Sequence, residues 1–112
     1  MGKVLLQAIE FRRDSSWNIG LHYRLSFTQA GNLQLWNVTN SGVVWESGSK
    51  GERMAMQADG NLAIYDAVGR CILTSDTAGN RDAYLVGQDD GNLLIYEADH
   101  ERPLWETRTT GK

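Results

Sequence analysis

Two stretches of this chain carry the same four hydrogen-bonding side chains in the same order. They are Gln57, Asp59, Asn61 and Tyr65 in QADGNLAIY, and Gln88, Asp90, Asn92 and Tyr96 in QDDGNLLIY. Asn and Gln both donate and accept, an ionised Asp only accepts, and a phenol does either. That mixture suits a neutral polyol, whose hydroxyls also do both. Residues two apart on a strand stand about 7 Å apart, close to the breadth of a pyranose ring. Four such groups can surround one monosaccharide, with Ala63 or Leu94 as an apolar floor. No nucleophile–base pair accompanies them. Asp59 and Asp90 belong to separate copies, so no pair of neighbouring carboxylates points to glycoside hydrolysis. The chemistry implied is binding without catalysis.

Other chemistries are poorly supplied. Cys71 is the single cysteine, which excludes an intrachain disulfide and a cysteine-based zinc site. His22 and His100 lack metal-ligand spacing and read as surface histidines. Gln88–Asn92 resembles a fragment of a calcium loop, but the spacing of a full loop is missing. No metal or cofactor is expected. A formal charge of −3 leaves no basic surplus to track phosphates, so nucleic acid is not an expected partner. No apolar run approaches the ~20 residues that span a bilayer, and membrane insertion is not expected. The opening MGKVLL lacks the apolar region and cleavage site of a secretory leader. The expectation is a cytoplasmic chain, or a secreted one if a leader has been removed. Asn37-Val38-Thr39 forms a glycosylation sequon that matters only in a eukaryotic secretory route.

The elements that must hold these groups are legible as repeats. A blurred third copy, TQAGNLQLW, occupies residues 28–36, so that Asn32, Asn61 and Asn92 are spaced 29 and 31 apart. Each follows a glycine (Gly31, Gly60, Gly91) and precedes a leucine (Leu33, Leu62, Leu93). Farther on, VVWESGS (43–49), CILTSDT (71–77) and PLWETRT (103–109) take the same place in successive units. The chain therefore reads as one domain, 1–112, with repeats at about 20–49, 50–79 and 80–112 and an N-terminal strand completing the structure. Apolar residues alternate with period two, and the central Gly-Asn pairs join such runs as hairpins. Leu62, Ile64, Leu93, Ile95, Trp45 and Trp105 are the expected core. The class is all-β with pseudo-threefold symmetry.

Spaced in this way, the pattern Q-x-D-x-N-x-V-x-Y resembles that of the monocot mannose-binding lectins, also called bulb-type or B-type lectins. The likeness covers roughly residues 4–109 and includes the flanking Trp45 and Trp105. It implies a β-prism II fold, three four-stranded antiparallel sheets around a pseudo-threefold axis. It also implies mannose or mannose-containing glycans as partners. One site would comprise Gln57, Asp59, Asn61, Ala63 and Tyr65, and another Gln88, Asp90, Asn92, Leu94 and Tyr96. Ala63 and Leu94 stand where the pattern has Val. The first copy departs further, with Thr28, Ala30, Asn32, Gln34 and Trp36. Only Asn32 matches, so that site is expected to be inactive. Gln29 lies one place out of register. The resemblance further implies a homodimer formed by exchanging C-terminal strands, here about residues 102–109 around Trp105. Two other readings compete. Gln34-Leu35-Trp36 mimics a motif of β-trefoil lectins, whose repeats are longer, and a prism with vestigial sugar sites could act through protein contacts instead.

Overall fold

A computed structural model describes residues 4–99 and 102–112; His100 lies outside them. Short runs with period-two alternation become strands, and Gly-rich turns end them. The strands are β1 (Val4–Leu6), β2 (Ile9–Arg12), β3 (Ser15–Ile19), β4 (Tyr23–Phe27), β5 (Leu33–Asn37) and β6 (Gly42–Glu46). They continue as β7 (Arg53–Met56), β8 (Leu62–Tyr65), β9 (Cys71–Thr74), β10 (Tyr84–Gly87), β11 (Leu93–Tyr96) and β12 (Pro103–Glu106). They form three four-stranded antiparallel sheets, ordered β3-β4-β5-β6, β2-β7-β8-β9 and β1-β10-β11-β12. The fold is a β-prism II. Its dimensions, 35 × 34 × 18 Å, are those of a threefold arrangement about a short axis.

Each repeat supplies three consecutive strands, and the fourth comes from the N-terminal segment. Sequence reading expects one N-terminal strand, whereas the structure has three: β1, β2 and β3 each add to a different sheet. These strands are short and lack the repeated motif, so only the pairing partner reveals their role.

The inward residues of the central strands make one core. Leu25, Phe27, Leu33 and Leu35 come from the first unit, Met54, Met56, Leu62 and Ile64 from the second, and Leu85, Leu93 and Ile95 from the third. Each fully buried side chain of this kind contributes roughly 1.5–3 kcal/mol. Gly87 stands where the other units have Phe27 and Met56, paired with Leu93 as those pair with Leu33 and Leu62. Ile19 fills that space: a Cβ on Gly87 would lie 2.5 Å from its Cδ1. Trp45 and Trp105 do not join the buried core as expected. They are partly buried, pack against its edge and meet each other edge-to-face with centroids 5.6 Å apart. An indole lying on an outermost strand has no further strand to cover it.

The loop joining the two central strands of each unit is the same. In the second unit Gln57 N donates to Asn61 O, and Gly60 N donates to Gln57 O. Gly60 then takes a φ of +92°, the left-handed residue that a three-residue hairpin loop requires. Its backbone also packs tightly. A Cβ at Gly60 would lie 2.1 Å from Asn80 O, so alanine there would both strain the turn and push apart two backbones.

Candidate functional site

The outer face of each sheet carries the repeated polar groups. In the second unit Asn61, Ala63 and Tyr65 follow one another along the β8 side of the hairpin, Gln57 ends the β7 side, and Asp59 lies in the turn. The third unit repeats this with Asn92, Leu94, Tyr96, Gln88 and Asp90. A break in register falls between Ile64 and Tyr65, and between Ile95 and Tyr96, where these strands pair with β9 and β12. The extra residue is on the outer strand, Ile72 in β9 and Leu104 in β12, and a bulge bends the strand that carries it.

The hairpin brings its two ends together. Gln57 Nε2 donates a hydrogen bond to the Tyr65 hydroxyl. Gln88 lies 3.3 Å from the Tyr96 hydroxyl, with its amide turned so that Nε2 donates to the Asp90 carboxylate at 3.2 Å. Between these ends lies an outward apolar pair, Ala55 against Ala63 in the second unit and Val86 against Leu94 in the third. The floor thus has two residues. Ala55 and Val86 escape sequence reading because their strands carry no motif letters. All four are closely covered: Ala63 is 0% exposed, Ala55 6%, Val86 2% and Leu94 5%.

Asp59 and Asp90 both hold the turn. One carboxylate oxygen accepts the backbone N–H two residues on, Asn61 at 3.0 Å and Asn92 at 2.9 Å, which sets the turn. In the second unit the other oxygen carries no hydrogen bond among the described residues, and Asp59 is exposed. Around this acceptor, Ala58, Gly79 and Arg81 line an open concavity of about 380 Å³. Arg53, paired across from Tyr65, lays its guanidinium 4.1 Å from the phenol ring centroid and bonds Glu10 at 2.9 Å. Tyr84 occupies the same place beside Tyr96, with ring centroids 5.9 Å apart.

The asparagines do more than face a ligand. Asn61 Oδ1 accepts from Thr74 Oγ1 (2.9 Å), Ser75 Oγ (3.1 Å) and Thr77 N (3.1 Å). Asn92 Oδ1 accepts from Thr107 Oγ1 and Thr109 N, both at 3.1 Å. Asn32 Oδ1 accepts from Ser47 Oγ (3.0 Å) and Gly48 N (2.8 Å). In each unit the carbonyl fastens the segment that leaves the last strand. The hydroxyls go on to form a ladder: Ser47 to Ser49, Ser75 to Thr77 and Thr107 to Thr109, at 2.8, 2.7 and 2.7 Å. Asn32 therefore has a structural reason to stand in a unit that has lost the rest of its motif. Sequence reading assigns it only to a failed site; the aligned Ser and Thr columns carried the missing signal.

The first unit closes on itself. Trp36 Nε1 donates to Gln34 Oε1 at 3.0 Å, and Gln34 Nε2 donates to Glu46 Oε1 at 3.4 Å. Asn32 Nδ2 donates to the same carboxylate oxygen at 2.7 Å. Gln34 is half-buried and paired, so it carries no penalty for a buried orphan amide. Thr28 Oγ1 accepts Asn32 N at 3.2 Å, doing the turn-setting work of the absent aspartate. Gln29 is exposed, and its carbonyl accepts from Arg13 at 3.3 Å.

The sequence matches no family model and no curated protein. Solved structures do resemble it. A lectin from Marasmius oreades superposes with a TM-score of 0.84 at 26% identity, over 96% of this chain and 92% of that one. A monomeric monocot mannose-binding lectin from Gastrodia elata gives 0.80 at 28%, over 98% and 99%. The Polygonatum cyrtonema lectin, solved with a monomannoside, gives 0.72 at 30%, over 86% and 89%. Shared architecture, end-to-end coverage and a twice-repeated polar motif on the outer sheet faces agree: the chain belongs to the bulb-type, or monocot mannose-binding, lectin family, whose members are non-catalytic carbohydrate-binding proteins.

Proposed function

We propose that the chain binds mannose, or glycans that display it, through the second and third units and not the first. One observation carries this reading. In both units a Gln–Tyr pair, an Asp and an Asn converge on one outer face above an apolar pair. The two related lectins from Gastrodia elata and Polygonatum cyrtonema, described with mannose or a monomannoside, support the choice of sugar. Each site would bind weakly, near millimolar or about −4 kcal/mol. Useful strength would come from two sites engaging one branched glycan or surface together.

Titration with methyl α-mannoside and retention on mannan test the proposal. Asp59→Ala or Asp90→Ala alone should reduce avidity, the double variant should abolish it, and EDTA should have no effect. A double variant that still binds mannan at full strength would overturn the assignment. The covered floor favours the rival reading, in which the sites are vestigial and the prism acts through protein contacts. An empty glycan array would decide for it. For assembly, the same family reading implies a homodimer that exchanges residues 102–109. Leu104 and Trp105 of β12 pack on the core of their own chain, so a partner's copy would bury the same groups. Light scattering at twice the chain mass supports exchange, and a monomer at all concentrations overturns it.

A further inference from the structure

The outermost strand of each unit places one side chain opposite the floor: Glu46 against Gln34, Thr74 against Ala63 and Glu106 against Leu94. These residues fall in one column of the repeats. They treat the motif asparagine in opposite ways. Glu106 Oε1 accepts from Asn92 Nδ2 at 3.0 Å, as Glu46 does from Asn32 at 2.7 Å. Thr74 has no carboxylate, and its hydroxyl donates to the other end of the amide, Asn61 Oδ1, at 2.9 Å. The Asn61 side-chain N–H groups therefore have no partner among the described residues. Asn61 is half-buried, whereas Asn92 is only 6% exposed.

We infer that this residue sets the strength of each sugar site, with Thr74 leaving the second site open and Glu106 holding the third partly closed. The inference rests on the sugar reading above and deepens it. A sugar oxygen that accepts from Asn61 meets a free donor. At Asn92 it must compete with a carboxylate, and hydrogen bonds to a charged acceptor are about twice as strong as those between neutral groups. The remaining Asn92 N–H is offered from a closed position. Glu106 is thus a specificity-determining residue for a neutral hexose, and the two sites are unequal despite matching motifs.

Two-dimensional NMR of the whole chain, titrated with methyl α-mannoside, reads both sites in one experiment. Shifts around residues 61–65 should give a Kd about tenfold lower than those around 92–96, the scale of one hydrogen bond. Glu106→Thr should bring the third site to within about twofold of the second, and Thr74→Glu should weaken the second about tenfold. Glu106→Gln should give an affinity between those of the parent and Glu106→Thr, because its side-chain carbonyl still accepts from Asn92 but without the charge. Without sugar, the Asn92 side-chain amide protons should exchange more slowly than those of Asn61, and Glu106→Thr should remove the difference. Equal affinities in the unmodified chain, or a Glu106→Gln site as tight as Glu106→Thr, would overturn the inference. Failure of mannose to shift either region would instead defeat the sugar reading itself, while the amide-exchange difference still reports whether Glu106 holds Asn92.

Discussion

Replacing Asn61 separates two jobs that one side chain performs. Its carbonyl accepts three hydrogen bonds, from Thr74, Ser75 and Thr77, while its side-chain N–H groups have no partner among the described residues. In Asn61→Ala the Thr74 hydroxyl, being exposed, turns to water at little cost. Ser75 Oγ keeps its bonds to Leu62 N and Thr77 Oγ1. The Thr77 N–H is different: that residue is buried at 5% exposure, and an orphaned buried donor costs about 1–3 kcal/mol. A loss of about 2 kcal/mol corresponds to a fall of roughly 10 °C in Tm for a domain of this size. Asn92→Ala should fall about as far, because Thr109 N is buried in the same way. Asn32→Ala should fall by only about half as much, since Gly48 N is exposed and finds water. Asn61→Asp is the separating variant. It retains the acceptor oxygen and exchanges the N–H donors for a second, charged carboxylate oxygen in a half-buried position, so Tm should stay near that of the parent while mannose binding at that unit disappears. Thermal melting followed by circular dichroism, beside a mannose titration, checks all four variants. An Asn61→Ala protein melting within 1–2 °C of the parent would refute the structural role of the carbonyl, since that is well below one hydrogen bond.

Three further outcomes follow from the same geometry. Thr28→Gln, Ala30→Asp, Gln34→Val and Trp36→Tyr, joined by Glu46→Thr to release Asn32, should raise the number of mannose molecules bound per chain from two to three in a titration; Ala30→Asp alone should leave it at two. A chain lacking residues 102–112 should aggregate on size-exclusion chromatography, because it loses the Leu104 and Trp105 cover and the Thr107–Thr109 ladder. Asp66 anchors the turn after β8 by accepting from the backbone N–H groups of Val68 and Arg70 and from the Arg70 side chain. The Arg70 backbone hydrogen bond is the main cause holding its carboxyl below the ordinary value of 3.8. A depressed carboxylate stabilises the fold above its unfolded pKa and loses that contribution as pH falls through the folded one. Asp66→Asn should therefore melt lower than the parent at neutral pH, with the gap closing below about pH 3.8.

The sequence by itself determined the repeats, the strands within them, the hairpin loops and the letters of both candidate sites. These depend on neighbours: alternation assigns Leu62 and Ile64 to one face and Ala63 and Tyr65 to the other, and a glycine marks each left-handed turn. The remainder depended on partners distant in the chain. Ile9 of β2 pairs with Met56 of β7, and Val4 of β1 with Gly87 of β10; no local pattern in those short segments names the partner. The partial exposure of Trp45 and Trp105 follows from their place on terminal strands, not from their hydrophobicity. Tertiary pairing also decided what the matching asparagines do. Asn61 and Asn92 stand in nearly identical nonamers, yet one meets a threonine and the other a carboxylate across the sheet. A motif records which groups a hairpin presents, whereas a cross-strand hydrogen bond decides which of them are free.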